Sequence, residues 1–169
     1  MKSILPFLLK KFDLSALPRR GVLRLAGLAA WPTWAVSQSL GQAVLPTAHS
    51  LRDELAVALK KKQPLVVMVS LDGCPYCRVA RQSYLSPLQK NGADIVQLDM
   101  NSLQPVQNFS GQFTTHGELI RQWQISVTPT VLFFGPGGKE VAERLEGASL
   151  PDFYGAYLEQ RLEKARLAL

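Results

Sequence analysis

Cysteine and histidine are scarce in this chain, which has only two of each among its 169 residues. A four-thiolate iron–sulfur cluster, a zinc ribbon and a scaffold stapled by several disulfides all need more thiols or imidazoles than this. His49 and His116 also lack the short spacing of a zinc-binding histidine pair, and we interpret each as a surface or capping residue. We therefore expect no metal site, and the two cysteines are left as a single candidate dithiol.

Excess charge is confined to the first segment of the chain. The net charge is +6, but residues 1–37 hold six basic residues against one acidic residue, a net of +5. The other 13 basic and 12 acidic residues leave a net of +1 over residues 38–169. Because that part has no extended basic run, we expect no nucleic-acid partner. A hydrophobic fraction of 47% is enough for one packed core, which suits a single domain of this length.

No hydrophobic run approaches the ~20 residues that a membrane-spanning helix needs. The apolar run Leu25–Trp31 follows Arg19 and Arg20, which resemble the twin-arginine export motif. Small residues at alternate positions of Ala35-Val36-Ser37 fit a signal-peptidase site. We predict that residues 1–37 are a twin-arginine-like export signal, cleaved near Ser37, that directs the protein to the periplasm. The general secretory route remains an alternative.

Residues 38–49 are polar and lack hydrophobic periodicity, so we interpret them as a linker before a domain over residues 50–169. Capping-box patterns at Ser50 and Thr115 predict helix starts, and continuous apolar runs predict buried strands. The order α-β-α-β-α-β-β-α indicates an α/β fold with helices on both faces of a sheet. The expected elements are a helix from Ser50 to Pro64, a strand Leu65–Leu71, a helix from Arg78 that Pro87 bends or ends, an interior strand Asp94–Met100, a loop over 101–114, a helix to Trp123, the strands Val127–Phe134 and Lys139–Leu145, and a helix from Ser149.

Cys74-Pro75-Tyr76-Cys77 lies where the first predicted strand passes into a helix. The free N–H groups and the dipole of a helix N-terminus stabilise an anion, so we expect Cys74 to form a thiolate below the usual cysteine pKa. The two-residue spacer puts Cys77 one turn further on, within disulfide reach. We predict Cys74 as the nucleophile and Cys77 as the resolving thiol of a catalytic pair. A purely structural disulfide is the alternative, although so short a loop stabilises a fold little.

Three segments together resemble the thioredoxin superfamily: Leu65–Cys77, Trp123–Phe134 and Gly137–Gly147. The resemblance covers roughly residues 50–167 and implies the thioredoxin fold, a central mixed sheet flanked by helices on both faces. It places Pro129, preceded by Thr128, at the position of the cis-proline beside the dithiol, where the backbone pairs with an incoming substrate strand. Thr128 and Pro129 are therefore implied substrate-binding residues.

The chain looks most like exported single-domain bacterial thioredoxins, including those associated with sulfur oxidation and cytochrome c maturation. Two departures from cytosolic thioredoxin leave the direction of electron flow open. Cys-Pro-Tyr-Cys replaces Cys-Gly-Pro-Cys, so that Pro75 and Tyr76 become the redox-tuning positions. Met68 stands where thioredoxin carries a buried carboxylate that helps to deprotonate the resolving cysteine.

The resemblance implies a periplasmic protein thiol–disulfide oxidoreductase that needs no cofactor and reduces disulfide-containing exported client proteins. A reductase in an oxidising compartment needs an electron source, which implies a membrane electron-donor protein. The short linker leaves no space for a dimerisation domain, so we expect a monomer. The alternatives are a disulfide oxidant or isomerase, a glutathione-using enzyme and, from a different class, a redox-inert binding module or metallochaperone on the same fold.

Overall fold

The computed structural model describes residues 44–148 and 151–169. The predicted export signal of residues 1–37, the first part of the predicted linker and the predicted helix start at Ser149 lie outside the described residues. Within the two described ranges, no helix combines the length and the apolar character needed to cross a bilayer. In chain order the elements are α1 (Leu51–Lys60), β1 (Leu65–Ser70), α2 (Pro75–Val79), a π-helical segment (Ala80–Leu85), α3 (Ser86–Lys90), β2 (Ile95–Asp99), β3 (Pro105–Gln107), β4 (Phe113–Thr115), α4 (His116–Gln122), β5 (Thr130–Gly135), a 3-10 turn (Pro136–Gly138), β6 (Lys139–Glu146) and α5 (Pro151–Leu167).

The main sheet has four strands in the order β2-β1-β5-β6. β1 runs parallel to β2, whereas β5 is antiparallel to both β1 and β6, so the sheet is mixed. Every residue of β1 and β5 is buried, which is why these two strands read as continuous apolar runs in the sequence. The predicted α/β fold with a central mixed sheet is confirmed.

Helices cover both faces of this sheet. On one face, α1 and α4 pack on alternate residues of β1 and β5, and the core there is built from Leu51, Leu55, Val67, Val69, Leu119, Ile120, Leu132 and Phe134. On the other face, the helical run from α2 and the last helix α5 pack on the intervening residues, with Met68, Cys77, Leu85, Val131, Phe133, Tyr154, Leu158 and Leu162. The second face therefore holds the buried Cys77, and the partly buried Cys74 packs against it.

The helix starts at Ser50 and Thr115 are confirmed. The Ser50 hydroxyl oxygen accepts the N–H of Asp53, and the Thr115 hydroxyl oxygen accepts the N–H of Glu118, each at 3.3 Å. At α1, however, Glu54 rather than Asp53 reaches back to the backbone, since its carboxylate accepts the N–H groups of His49 and Ser50. The acidic side chain one position later lies closer to the free donors of the first turn.

The folded domain begins before Ser50, so residues 45–49 are not a linker. Ala48 donates its N–H to the carbonyl of Gln97 at 2.9 Å, and Gln97 donates its own to Pro46 at 2.8 Å. Leu45 and Ala48 are buried. β2, predicted to be interior, is therefore the edge strand of the named sheet, and this short segment pairs with its outer edge. An edge strand needs partners for its free backbone groups, and the segment supplies them.

His116 is a core residue, contrary to its interpretation as a surface or capping histidine. It is fully buried, and its Nδ1 accepts the N–H of Asp99 at 3.2 Å. Because Nδ1 accepts, the proton lies on Nε2, which donates to the carbonyl of Ala48 at 3.1 Å. His116 thus joins β2 to the N-terminal segment by two hydrogen bonds. The spacing of histidines in the sequence does not reveal these partners.

Two further elements differ from expectation. The predicted loop over 101–114 contains the hairpin of β3 and β4. The helix predicted from Arg78 already begins at Pro75 and continues past Pro87 to Lys90, because a π-helical segment precedes that proline. Ser86 donates its N–H to the carbonyl of Arg81, five residues earlier. This wider turn accommodates a residue that has no N–H donor of its own.

Tyr154 of α5 is a buried phenol on the same face as Cys77. It is 3% exposed, its ring lies 5.0 Å from that of Tyr84, and its hydroxyl has no hydrogen-bond partner among the described residues. Burial, and to a smaller extent the neighbouring Tyr84, raises the pKa of Tyr154 far above that of a free tyrosine. The folded protein therefore keeps this proton at alkaline pH values at which the unfolded chain loses it.

This difference predicts the alkaline behaviour of Tyr154→Phe. Above about pH 10, the free energy of unfolding of the wild type should fall by about 1.4 kcal/mol per pH unit through Tyr154, because only the unfolded state loses the proton. The variant lacks this loss and should match or exceed the wild type at neutral pH, where it removes an unpaired hydroxyl. Urea unfolding from neutral to alkaline pH measures both effects. Tyr157→Phe, at an exposed position of the same helix, is the control, and parallel curves for Tyr154→Phe and the wild type would contradict the prediction.

Candidate redox site around the Cys74–Cys77 disulfide

Cys74 and Cys77 form a disulfide, with their Cα atoms 5.3 Å apart. Cys74 is the N-cap of α2 and is partly exposed, whereas Cys77 lies in the first turn of that helix and is fully buried. The N–H of Cys77 donates to the Sγ of Cys74 at 3.1 Å. The two sulfurs therefore differ in solvent access and in their hydrogen bonds, although they are only three residues apart.

The turn from β1 into α2 places Cys74 at the helix start. Gly73 adopts the left-handed conformation with φ of 73°, which a side chain would disfavour, and its N–H is accepted by the carboxylate of Asp72 at 2.9 Å. Cys74 donates its own N–H back to the carbonyl of Leu71 at 3.3 Å. Pro75 then occupies the first helical position, where its missing donor is not needed.

The loop before β5 lies against the same sulfur. The Thr128–Pro129 peptide bond is cis, and the Thr128 hydroxyl donates to the Sγ of Cys74 at 3.9 Å. The carbonyl of Pro129 accepts the N–H of Gly147 at 2.7 Å, which ties this loop to the end of β6. In contrast, the backbone N–H and carbonyl of Thr128 make no hydrogen bond with any described residue. A polar backbone edge is thus open beside Cys74.

The buried side of the disulfide is apolar. Cys77 packs in one cluster with Met68, Ala80 and Phe133, and the side chain of Met68 is fully buried. Among residues 44–148 and 153–169, no Asp or Glu side chain belongs to the buried core. No acidic side chain of these residues therefore lies in the core beside Cys77, as the methionine at position 68 indicated.

Apolar side chains are exposed next to the disulfide in the sequence. Tyr76 and Val79 of α2 are 61% and 44% exposed, and Val127, next to Thr128, is 45% exposed. Leu71, in the turn before Cys74, is also exposed. Exposed apolar groups around an accessible sulfur are typical of a surface that binds another protein.

A cleft of about 640 Å³ opens on the other side of Cys74, over the ends of β1 and β2. Its wall is about half polar, and the polar residues that matter below are Ser70, Asp72, Arg78, Arg81, Gln97 and Asp99. Within the described residues, no group of three His, Cys, Asp or Glu side chains is placed to hold a metal ion.

The fold brings together the residues that the sequence singled out. Thr128, which directly precedes Pro129, contacts the Sγ of Cys74 across 54 residues of chain. Pro75 and Tyr76 lie with Cys77 in the first turn of α2. Sequence reasoning missed the polar wall of the cleft, Arg81 above all. The sequence pattern that could have indicated Arg81 is weak. It is a basic residue one turn after Cys77, on a helix whose inner face is otherwise apolar.

Several solved structures are similar to this chain. A reduced thioredoxin pre-protein of Schistosoma mansoni is 21% identical, with a TM-score of 0.48, and the match covers 71% of this chain and 96% of that chain. A thioredoxin from Thermus thermophilus is 22% identical, with a TM-score of 0.47 and coverages of 69% and 87%. The DsbH oxidoreductase is 17% identical, with a TM-score of 0.48 and coverages of 75% and 88%.

No curated protein matches the sequence with significance. A family model does: the one described as a thioredoxin-like domain matches residues 51–162, from the first residue of α1 to the last turns of α5. This range is about two thirds of the chain and includes the disulfide, the cis-proline loop and all six strands. The chain therefore belongs to the thioredoxin-like family.

Proposed function

We propose that this protein is a periplasmic thiol–disulfide oxidoreductase that uses Cys74 and Cys77 to reduce disulfides of exported client proteins. The observation that carries the proposal is the asymmetry of the two sulfurs. Cys74 is accessible and accepts hydrogen bonds from the N–H of Cys77 and the hydroxyl of Thr128, whereas Cys77 is fully buried. Hydrogen-bond donors and a helix N-terminus around one sulfur favour its thiolate, the form that attacks disulfides.

The reaction proceeds by two exchanges. In the reduced protein, the thiolate of Cys74 attacks one sulfur of the client disulfide, a mixed disulfide forms, and the other client sulfur leaves as a thiolate. Cys77 then loses its proton and attacks the Sγ of Cys74, which releases the second client sulfur and closes the Cys74–Cys77 disulfide. Two electrons pass from the dithiol to the client, so the cycle itself requires no cofactor.

The surface around Cys74 supports a protein client. The unpaired backbone of Thr128 offers one donor and one acceptor to an extended client segment, in the manner of an added strand. The exposed side chains of Tyr76, Val79 and Val127 offer apolar contact on either side. A client bound in this way would present its disulfide to the exposed sulfur of Cys74.

The reductase direction is tested by the reduction potential of the Cys74–Cys77 pair. Because the periplasm is kept oxidising, a reductase there needs a low potential and a membrane electron-donor protein. We expect a potential near about −270 mV, the value of thioredoxin, measured by equilibration with defined thiol–disulfide buffers. A value near about −120 mV, that of a strong oxidant, would contradict the reductase role and assign an oxidant.

The division of labour between the sulfurs predicts client trapping. Cys77→Ser should still allow attack by Cys74 but leave the mixed disulfide unresolved, so covalent adducts with clients should accumulate about tenfold over the wild type. Non-reducing gels of cells that express the variant in the periplasm measure the adducts, which reductant should dissolve.

Cys74→Ser is the matched control for this experiment. It also leaves one cysteine, but that cysteine is buried, so it should trap few clients or none. Equal trapping by the two variants would contradict the assignment of Cys74 as the nucleophile. Absence of trapping by either, with oxidised clients present, would favour a redox-inert binding module.

The proposed location depends on the first segment of the sequence. If export uses the twin-arginine route, changing Arg19 and Arg20 to lysine should leave about tenfold more precursor in the cytosol, because that route recognises the arginine pair and not its charge alone. Cell fractionation measures precursor and processed protein. A control that exchanges Lys10 and Lys11 for arginine keeps the same charge and should be exported normally. Unimpaired processing of the double-lysine variant would assign the general secretory route.

A further inference from the structure

Arg81 is held in a fixed orientation beside the candidate redox site. Its Nε donates to the Oε1 of Gln97 and its Nη2 donates to the Oγ of Ser70, each at 2.8 Å. Ser70 is the last residue of β1 and is almost fully buried, and Gln97 lies in the middle of β2. Both acceptors are thus carried by paired strands, and they engage one edge of the guanidinium group.

The orientation of Gln97 is itself fixed. The Nε2 of Gln97 donates to the Oδ1 of Asp99 at 2.7 Å. An ionised carboxylate only accepts hydrogen bonds, so the amide NH₂ faces Asp99 and the amide oxygen faces Arg81. This chain of hydrogen bonds immobilises the guanidinium group before any ligand arrives, which lowers the entropic cost of binding.

The charge of Arg81 has no carboxylate partner among the described residues. The described residues contain seven arginines, and five of them form ion pairs with carboxylates. The two exceptions within that part of the chain, Arg78 and Arg81, both line the cleft beside Cys74. The acceptors that Arg81 does have are neutral, and its Nη1 makes no hydrogen bond with any described residue. One edge of this cation is therefore available to a ligand.

The other charges of the cleft restrict what that ligand is. Besides Arg78, these are Asp72 and Asp99, which are engaged respectively by the N–H of Gly73 and the amide of Gln97. Two carboxylates oppose a multiply charged anion such as a phosphate group. The same two carboxylates repel a group with a single negative charge, bound at the free edge of the guanidinium group, much less than they repel a phosphate. A planar carboxylate also matches the two parallel donors of a guanidinium edge.

The helix carrying Arg81 is irregular at this point. Arg81 lies in the π-helical segment that directly follows α2, four residues after Cys77. Such segments insert one extra residue into a helix and are frequent at functional sites. From this segment Arg81 reaches Ser70 at the end of β1 and Gln97 in β2.

We infer that the cleft is a carboxylate subsite, in which Arg81 binds an acidic group that lies close to the client disulfide. This inference rests on the proposed function and adds a substrate preference to it: disulfides flanked by a carboxylate react faster with Cys74. Such a carboxylate comes from an acidic side chain of a protein client or from a small carboxylate-bearing disulfide. The covalent step is the same exchange of two electrons, because Arg81 takes no part in bond making.

The test compares three small disulfides of similar size: anionic dithiodiglycolate, neutral hydroxyethyl disulfide and cationic cystamine. The reduced protein is mixed with each, and oxidation of the dithiol is followed by acid quenching and alkylation. The measured quantity is the ratio of the rate constants for dithiodiglycolate and cystamine. Arg81→Gln should lower this ratio by about five- to tenfold, and Arg81→Lys, which keeps the charge but loses the fork, should lower it less.

Arg166→Gln is the matched control, because it removes the same charge from an exposed site near the end of α5. It should leave the ratio within about twofold of the wild type, since screening weakens a distant surface charge. A ratio that falls equally in both variants reflects net charge alone and overturns the inference. A ratio unchanged in Arg81→Gln, even where all three reactions slow together, also overturns it.

A peptide arm identifies the source of the carboxylate. Two peptides, each with one internal disulfide, differ only in having Glu or Gln beside a cysteine. If the wild type reacts faster with the Glu peptide and Arg81→Gln abolishes this preference, the subsite is assigned to protein clients. A loss of preference confined to the small disulfides assigns it to small carboxylate-bearing disulfides. If no disulfide, hydroxyethyl disulfide included, oxidises the reduced wild type, then the proposed function fails. If all of them react without charge preference, only this inference fails.

Discussion

The packing of Cys77 into the core holds the redox site to the sheet. Its side chain lies in one cluster with Met68 and Phe133 of the two central strands, and none of its surface reaches solvent. Because α2 begins only two residues earlier, this packing also fixes the helix N-terminus and with it Cys74. The accessible sulfur is therefore held at the surface by the burial of its partner. The exposure of one sulfur and the burial of the other both follow from one helix packing on one face of the sheet.

Gln97 connects this site to the start of the domain. Its backbone N–H and carbonyl pair with Pro46 and Ala48, whereas its side chain holds Arg81 on the opposite side of the network. Gln97 therefore both pairs with the segment that covers the edge of β2 and forms part of the wall of the cleft. His116 reinforces the same connection, since it bonds both Ala48 and the backbone of β2. Hydrogen bonds thus run continuously from the N-terminal segment through Gln97 to Arg81.

The parts of the structure that local sequence determines were predictable. Continuous apolar runs gave the central strands, two capping patterns gave helix starts, and the spacing of Cys74 and Cys77 at a strand–helix junction indicated a dithiol. What escaped prediction depends on contacts between distant parts of the chain. Residues 45–49 show no hydrophobic periodicity, and they are ordered by pairing with β2, about 50 residues away. His116 is buried because it satisfies two backbone groups, and Arg81 is oriented by two strands; neither requirement leaves a periodic pattern in the sequence.

The distribution of polar groups over the two sulfurs bears on the direction of electron flow. Stabilising the thiolate of the reduced form makes a dithiol pair more oxidising. Here the donors act on Cys74 alone, and the Thr128 hydroxyl does so at 3.9 Å, a long contact even for sulfur. Around Cys77, the apolar packing against Met68 disfavours a second thiolate. The reduced form thus gains stability from few donors at one sulfur and from none at the other, an arrangement that supports the reductase direction we propose. In the proposed cycle, no core carboxylate among the described residues assists the attack of Cys77 on the mixed disulfide. The rate of this resolving step therefore depends on how readily the buried Cys77 loses its proton while Cys74 is bonded to the client.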